Sequence, residues 1–193
     1  MKLYGTQYGG FYLPKNITLE ENPIIYSFGV GEDITFDVFL SSKFNSIVHL
    51  FDPTPRAVQH VKDVRDFLTS FNEPKYNKRI GGGDSNYWKT ILENKTEPDN
   101  LLMNEYGLHL NNGEVKFYSP NNKEFVSHSV VQGVKSDSFI NVKVKNLETI
   151  MKEKKHNKID FLKIDVEFLE NDILNNMLDI KVFPKFICVD FDS

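Results

Sequence analysis

Residues 24–40 read IIYSFGVGEDITFDVFL, and this stretch decides the fold. Its apolar beginning ends at Gly29, which predicts a short buried strand. From Glu32 onward, apolar side chains recur at helical spacing. This predicts a helix with Glu32 and Asp33 in its first turn, where the helix dipole favours negative charge. A strand that turns through two glycines into a helix is typical of a parallel α/β sheet.

The same alternation continues along the chain. NSIVHLF predicts a second strand that ends at Asp52, and a helix follows from near Arg56. Later segments predict a strand, a helix and a last strand, in the order IDFLKID, EFLENDILNNML and FPKFICVD. Such alternation forms parallel strands joined by right-handed crossovers, so we expect one α/β domain. YGLHLNNGEVKFYS, with apolar positions alternating around Asn111-Asn112-Gly113, predicts an antiparallel hairpin inserted into this pattern.

Composition limits the possible classes of function. The 193 residues are enough for one well-buried domain and few for two. The net charge is -4 and the basic residues are spread along the chain, which disfavours a nucleic-acid partner. No apolar run approaches the roughly 18 residues that a membrane span needs, and no signal-peptide block is seen. The single cysteine, Cys188, is expected to be a small buried hydrophobe, and we expect a cytoplasmic protein.

Polar residues follow four of the predicted strands at the point where each strand ends. These strand ends are residues 29–33, 52–55, 165–167 and 190–192, and each of them contains at least one acidic residue. Ligands of open parallel sheets bind beyond the carboxyl ends of the strands. Acidic side chains gathered at this edge therefore predict a ligand site.

The two glycines of the first turn, Gly29 and Gly31, let the backbone bend sharply and approach a ligand closely. A plain strand-to-helix turn is the alternative. Asp52 follows Gly31 by about 20 residues, the offset at which a carboxylate grips the two hydroxyls of a bound ribose. The alternative for Asp52 is an N-cap of the helix that follows.

The first turn also weighs against a cofactor that carries phosphate. A dinucleotide fingerprint needs a third glycine, and Ile34 occupies that place. Glu32 and Asp33 would repel a phosphate at the helix N-terminus. A cofactor with a ribose and a positive centre fits better, and S-adenosylmethionine is such a molecule. NAD and ATP are therefore disfavoured.

The segment LKIDVE places Lys163, Asp165 and Glu167 on one face of an extended chain. A lysine inside a strand is costly unless it is paired, so these residues form a structural lysine–carboxylate pair or act in catalysis. A carboxylate there can orient an acceptor hydroxyl or take its proton. His128 is a further candidate base if its loop folds over the site, whereas His49 is expected in the core.

No metal site is evident in the sequence, because histidine and cysteine are scarce and lack ligand spacing. One alternative stays open, a hard cation held by Asp165, Glu167 and Asp190. The expected ligands are otherwise organic.

These stretches together resemble the FkbM-type family of S-adenosylmethionine-dependent methyltransferases, which have a Rossmann-like class I fold. The matching segments occur in family order and cover most of residues 24–191: YSFGVGEDITFD, VHLFDPTPRA, NGEVKFYSPNNKEFVSHS, VKVKNLETIM and IDFLKIDVE. The resemblance implies a mostly parallel central sheet with an antiparallel hairpin insertion. It also implies methyl transfer to a hydroxyl, often on a sugar of a polysaccharide, a glycolipid or a small natural product.

Carried over residue by residue, the resemblance assigns the methionine end of the cofactor to Phe28, Gly29, Val30, Gly31 and Glu32. Asp52, with Pro53 beside it, would hold the ribose. Asp165 and Glu167 would border the acceptor, next to Lys163. We expect residues 1–193 to form a single methyltransferase-like domain with four parts: a hairpin or lid (1–22), a cofactor-binding half (24–71), a hairpin insertion (106–118) and an acceptor-side half (147–193).

Two departures from the family pattern favour a second hypothesis. Phe168 stands where the family usually has glycine, so the turn there must differ or carry strain. The last motif reads Asp190-Phe191-Asp192, whereas the family tends to read Glu-Phe-His. The alternative to an O-methyltransferase is a relative that keeps the fold and binds cofactor or a partner without turnover.

The sequence reaches Ser193 just after the last predicted core strand, so we expect the C-terminal strands of a full class I domain to be missing. KFICVDF would then be an exposed apolar edge. We expect either that the insertion, a partner chain or a second copy of the protein covers it, or that this is a shortened protein.

Overall fold

The computed structural model describes residues 1–73, 85–118 and 138–191. Its strands in chain order are β1 (Lys2–Tyr4), β2 (Phe11–Leu13), β3 (Ile25–Phe28), β4 (Val48–Phe51), β5 (Leu101–Asn104), β6 (Gly107–Leu108), β7 (Gly113–Tyr118), β8 (Phe139–Lys145), β9 (Phe161–Ile164) and β10 (Phe186–Val189). Its α-helices are α1 (Thr35–Phe44), α2 (Pro55–Ser70), α3 (Tyr87–Glu93), α4 (Leu147–Lys154) and α5 (Glu170–Asp179). His128 and Asp192 lie outside the described residues.

The central sheet has five parallel strands in the order β10-β9-β3-β4-β5. The chain runs outward from β3 to β4 and β5, and it then returns to the other side of β3 for β9 and β10. Ligands of open α/β sheets bind at such a reversal, outside the carboxyl ends of the strands. The predicted α/β architecture with a parallel central sheet is confirmed, and it is consistent with a Rossmann-like fold.

Each face of the sheet buries one apolar cluster, because side chains alternate between the two faces along a strand. Helices α1, α2 and α3 cover one face, where Ile25 and Leu50 are buried. Helices α4 and α5 cover the other face, where Tyr26, Phe28 and Phe51 are buried. The rings of Phe28 and Phe51 stack with their centroids 4.4 Å apart. Aromatic packing therefore fixes the two strands that lead into the carboxyl edge of the sheet.

The first helix begins later than the sequence predicted. It starts at Thr35 instead of Glu32, so Glu32 and Asp33 precede the helix and do not lie in its first turn. Asp33 Oδ1 accepts hydrogen bonds from the backbone N–H of Thr35 at 2.9 Å and from its hydroxyl at 2.7 Å. The carboxylate thus satisfies a backbone donor at the helix start, which is the function of a capping residue.

The predicted hairpin at residues 106–118 is wrong in its pairing. Strands β6 and β7 do not pair with each other, because β8 lies between them in the order β6-β8-β7. Strand β7 pairs antiparallel with β8, whereas β6 pairs parallel with it. The side chain of Asn112 in the predicted turn accepts from the N–H of Asn146 and donates to Thr149. The turn residues therefore tie this small sheet to the start of α4.

The residues before β3 form an antiparallel hairpin of β1 and β2. The hairpin packs on α1, where the ring of Tyr4 stacks on Phe39 at 4.0 Å and the ring of Phe11 lies 5.0 Å from that of Phe36. With the hairpin packed in this way, the loop between β1 and β2 lies at the carboxyl edge of the central sheet.

Strand β10 lies at the end of the central sheet in the part of the chain that the structure describes. Four large apolar side chains are exposed on or near it: Leu178, Phe183, Ile187 and Phe191. What covers this edge stays a prediction. Within the described ranges, no helix has the length and apolar character to cross a membrane.

Acid should weaken the fold through His49, which lies on β4 against the α4 side of the core. Burial, with His156 and Lys154 nearby, lowers the pKa of His49 to about 4. The unfolded chain takes up this proton as the pH falls below about 6.5, whereas the folded chain takes it up only near pH 4. Stability contributed by neutral His49 is therefore lost as the pH falls between these values.

We expect the wild type to lose about 2 kcal/mol more unfolding free energy than His49→Leu between pH 7 and pH 4.5. Urea unfolding of both proteins at each pH measures the difference. The two proteins must be compared directly, because other groups also make the stability depend on pH. Burial raises the pKa of Asp37 to about 6, which makes both proteins more stable as the pH falls. Equal losses in the two proteins would contradict the assignment.

Candidate active site

A cavity of about 290 Å³ lies at the carboxyl ends of β3, β4, β9 and β10. Its walls come from these strand ends, from the loop between β1 and β2, and from the small sheet. The lining residues are Tyr8, Gly9, Gly29, Val30, Gly31, Glu32, Asp33, Phe51, Asp52, Pro53, Thr54, Gly107, Leu108, Phe117, Lys163, Asp165, Val166, Glu167 and Asp190. Its volume is close to the lower end of the range for small-molecule sites.

The backbone of the glycine turn lies very close to the backbone at the end of β9. Gly29 has φ +74° and Gly31 has φ +54°, values that favour glycine. A Cβ atom on Gly29 would lie 1.6 Å from the carbonyl oxygen of Asp165. The N–H of Gly29 donates to the carbonyl of Phe51 at 2.9 Å, so the turn is held from both sides. The residue must be glycine for β3, β4 and β9 to meet here.

Asp52 links the glycine turn to the start of α2. One carboxylate oxygen, Oδ1, accepts from the N–H of Thr54 at 2.8 Å and from its hydroxyl at 2.6 Å. The other, Oδ2, accepts from the N–H of Gly31 at 3.1 Å. Burial raises the pKa of Asp52, although these hydrogen bonds counter the rise. The N-cap of α2 is Thr54, so the alternative of Asp52 as the N-cap is wrong. Because a carboxylate has about four acceptor positions, Asp52 can make these hydrogen bonds and still accept from a ligand hydroxyl in the cavity.

Glu32 and Asp33 have structural partners that the sequence did not predict. Glu32 forms a two-pronged ion pair with Arg56, in which Nε donates to Oε1 at 3.0 Å. Asp33 accepts from Thr6 and Thr35. The guanidinium balances the charge of Glu32, so the repulsion of phosphate expected from this residue is reduced. A phosphate ligand is therefore disfavoured more by Ile34 at the place of the third glycine than by the charge of Glu32.

Lys163 lies beneath the glycine turn and is only 2% exposed. Its Nζ donates to the carbonyl of Gly29 at 2.8 Å and lies 3.4 Å from Asp165 Oδ2. Burial alone would lower the pKa of Lys163, but the carboxylates of Asp165, Asp37 and Asp52 raise it above its ordinary value. These contacts are those of a structural lysine–carboxylate pair that also faces the cavity. A catalytic role for Lys163 stays a prediction.

The segment after β9 makes an uncommon turn. Glu167 and Phe168 both have positive φ, +45° and +71°, a region that side chains other than glycine occupy at a cost. The N–H of Phe168 donates to the carboxylate of Glu170 at 3.0 Å, which holds the turn against α5. Phe168 stands where the family pattern usually has glycine, and its backbone has a conformation that favours glycine, so the residue is strained.

All the residues predicted for the site line the cavity except Phe28. The side chain of Phe28 is fully buried in the core, because its ring stacks on Phe51. His49 packs against Tyr26 within the core, as expected. Asp165, Glu167 and Asp190 reach the cavity together, but no three metal-ligating side chains are grouped within the described ranges.

Several lining residues were missed by the sequence analysis. Tyr8 and Gly9 come from the hairpin loop, and Leu108 and Phe117 come from the small sheet. Neither segment has a motif that points to the central sheet. One signal in the sequence is the Gly9-Gly10 pair beside Tyr8. Such a pair indicates that the backbone approaches another segment closely, but it does not indicate which segment.

A family model described as Methyltransferase FkbM domain matches residues 13–190. The chain belongs to this family. The match includes the glycine turn, Asp52 and the β9 motif, so all the residues that line the cavity except Tyr8 and Gly9 lie within the matched range. Comparisons with curated proteins and with solved structures give no match.

Gly29→Ala should destabilise this FkbM-family domain by about 3 kcal/mol or more, because the added methyl group would overlap the Asp165 backbone. Gly107→Ala is the control, since its Cβ would meet Pro53 at an ordinary 3.4 Å and should cost less than about 1 kcal/mol. Denaturant unfolding measures both. If both variants lose a similarly small amount of unfolding free energy, Gly29 does not lie as close to the Asp165 backbone as described.

The strain at Phe168 predicts an inverted order of two substitutions. Phe168→Gly should be more stable than Phe168→Ala by about 1 kcal/mol, because glycine tolerates φ +71° and both variants lose the ring. At exposed Asn175 within α5 the order should reverse, with alanine more stable by about 1 kcal/mol. The unfolding free energies of the four variants provide the test. If the alanine variant is more stable than the glycine variant at both positions, Phe168 is not strained.

Proposed function

We propose that this protein transfers a methyl group from S-adenosylmethionine to a hydroxyl of a sugar-like or small-molecule acceptor. One observation supports this most: the glycine turn, Asp52 and the β9 carboxylates line the same cavity at the reversal point of the sheet. These are the positions at which the family resemblance expects cofactor and acceptor.

The residues that line the cavity fit the chemistry of this cofactor. Phe51, Pro53, Leu108 and Phe117 give one part of the wall an apolar surface suited to a purine ring. Asp52 has acceptor capacity for ribose hydroxyls. Elsewhere the lining is acidic, with Asp165 and Glu167 facing the space, which suits a cofactor that has a positive centre and no phosphate.

Asp165 is the residue best placed to handle the acceptor proton. S-adenosylmethionine supplies an electrophilic methyl group when it is bound. The side chain of Asp165 is 37% exposed, so the carboxylate is accessible while Lys163 holds it from the buried side at 3.4 Å. In this proposal the carboxylate of Asp165 would orient the acceptor hydroxyl and accept its proton. Glu167, the next carboxylate along the turn, is the alternative base.

A second candidate function is a methyltransferase fold that binds cofactor or a partner without turnover. The strained turn at Phe168 and the acidic last motif favour it, because both depart from the family pattern. Measured turnover distinguishes the two functions, since both keep the cofactor cavity.

The acceptor class, cellular location and partners are part of the proposal. We propose a cytoplasmic enzyme that acts on a glycan or small molecule, with neither nucleic acid nor membrane as a partner. The net charge of -4 supports the first exclusion. A second copy or a partner chain over β10 remains a proposal supported by the exposed side chains of Ile187 and Phe191.

Calorimetric titration with S-adenosylmethionine and S-adenosylhomocysteine tests the proposed cofactor. We expect micromolar binding by the wild type and at least tenfold weaker binding by Asp52→Asn, which loses the charge and the acceptor that face Gly31. Asp99→Asn is the matched control, because Asp99 is exposed and paired with Arg65 away from the cavity. Its affinity should stay within twofold of the wild type.

Thermal unfolding of all three proteins confirms that they are folded before titration. No heat and no thermal shift at millimolar S-adenosylmethionine with folded wild type would rule out the methyltransferase proposal. Binding followed by a failed acceptor screen would favour the function without turnover.

A further inference from the structure

The loop between β1 and β2 forms one wall of the cavity, and residues 6–9 of this loop are here called the N-terminal strap. Tyr8 and Gly9 of the strap line the cavity together with the β9 carboxylates. The side chain of Tyr8 is 59% exposed, and it lines the same cavity as Asp165 and Glu167. An aromatic side chain held open at the rim of a cavity has surface available for a ligand.

The N-terminal strap is fixed to the start of α1 by buried hydrogen bonds. The hydroxyl of Thr6 donates to the carboxylate of Asp33, and the N–H of Thr6 donates to the hydroxyl of Thr35 at 3.0 Å. The same Thr6 oxygen accepts from the N–H groups of Tyr8 at 3.2 Å and Gly9 at 3.1 Å. One threonine therefore shapes the loop and joins it to the carboxylate that caps α1.

Close packing holds the strap in the same place. A Cβ atom on Gly9 would lie 2.6 Å from Cγ of Asp33, so this position has no room for a side chain. Gly5, at the beginning of the loop, has φ +93° and would place a Cβ 2.9 Å from Gly10 Cα. The strap is thus a fixed wall rather than a loop that rests loosely on the surface.

The phenol of Tyr8 faces the acidic part of the cavity. Partial burial raises the pKa of Tyr8, and the carboxylates of Asp165, Asp33 and Glu167 raise it further. Tyr8, Asp165 and Glu167 line the same cavity. A space with an aromatic ring on one side and carboxylates on the other is suited to a cation.

We propose that the N-terminal strap is part of the cofactor site and that Tyr8 covers a sulfonium cation held opposite Asp165 and Glu167. This rests on the proposed function, since the sulfonium is that of S-adenosylmethionine. It assigns a binding role to Tyr8 and a positioning role to Thr6. The strap selects for the charged cofactor over S-adenosylhomocysteine, which has a neutral thioether at the same place.

The test titrates S-adenosylmethionine and S-adenosylhomocysteine into wild type, Tyr8→Ala, Tyr8→Phe and Tyr12→Ala. Tyr8→Ala should weaken S-adenosylmethionine about tenfold, chiefly through faster dissociation, and S-adenosylhomocysteine less than threefold. Tyr8→Phe keeps the ring and should bind within threefold of the wild type. Tyr12 is the matched control: it belongs to the same hairpin, is 62% exposed and does not line the cavity, so its variant should bind as the wild type does.

Thr6→Val tests the positioning role separately. It removes the hydroxyl that holds Asp33, Tyr8 and Gly9 while keeping the side-chain volume. We expect faster dissociation of S-adenosylmethionine and faster hydrogen exchange at the amides of Tyr8 and Gly9. Slow exchange at β9 amides should persist, which shows that the core remains folded.

The outcomes separate this inference from the proposed function. If Tyr8→Ala and Thr6→Val bind S-adenosylmethionine as well as the wild type does, the role of the strap is overturned and the proposed function stays intact. Equal weakening of both ligands by Tyr8→Ala would overturn cation recognition. Folded wild type that binds neither ligand would contradict the proposed function and this inference together.

Discussion

A buried cation at the reversal point of the sheet is the constraint on which the rest of the site depends. Taking an ammonium out of water costs several kcal/mol unless oxygen atoms replace the water. Lys163 meets this condition through the carbonyl of Gly29 and the carboxylate of Asp165. Asp37, fully buried on α1, adds negative charge nearby, and Lys163 counters the rise that burial causes in its pKa. One electrostatic cluster therefore joins β3, β9 and α1 directly beneath the cavity.

Carboxylates above this cluster hold the backbone and also line the cavity. Asp52 accepts from the N–H groups of Thr54 and Gly31, Asp33 accepts from the N–H of Thr35 and the hydroxyl of Thr6, and each acid lines the cavity. Groups already fixed by backbone hydrogen bonds lose little freedom when a ligand arrives, so the site is preorganised. Substitutions of these acids consequently change loop structure and ligand binding together, and controls outside the cavity are needed to separate the two effects.

Four strands of the central sheet, β3, β4, β9 and β10, were predictable because buried parallel strands are short apolar runs bounded by glycine, proline and acidic residues. Strand β5 was not predicted from the sequence. Site residues such as Gly29, Asp52 and Asp165 followed from this topology, which places all the carboxyl ends at one edge. The start of α1 was missed because an acid in a first helical turn and an acid that caps the turn look alike in sequence. Pairing of β6 with β8, and the contact of Thr6 with Asp33 across 27 positions, have no local signal.

The departure at Phe168 changes the turn without removing the groups that face the cavity. Two consecutive residues with positive φ cost on the order of 1–2 kcal/mol each, and such strain persists only where surrounding contacts impose it. Here the contact is Glu170, which accepts from the Phe168 N–H, and the residues of this turn that reach the cavity are Asp165, Val166 and Glu167. The carboxylates of Asp165 and Glu167 thus still line the cavity, although the family glycine is replaced. The turn at Phe168 therefore does not by itself remove either carboxylate that the proposed proton transfer would use.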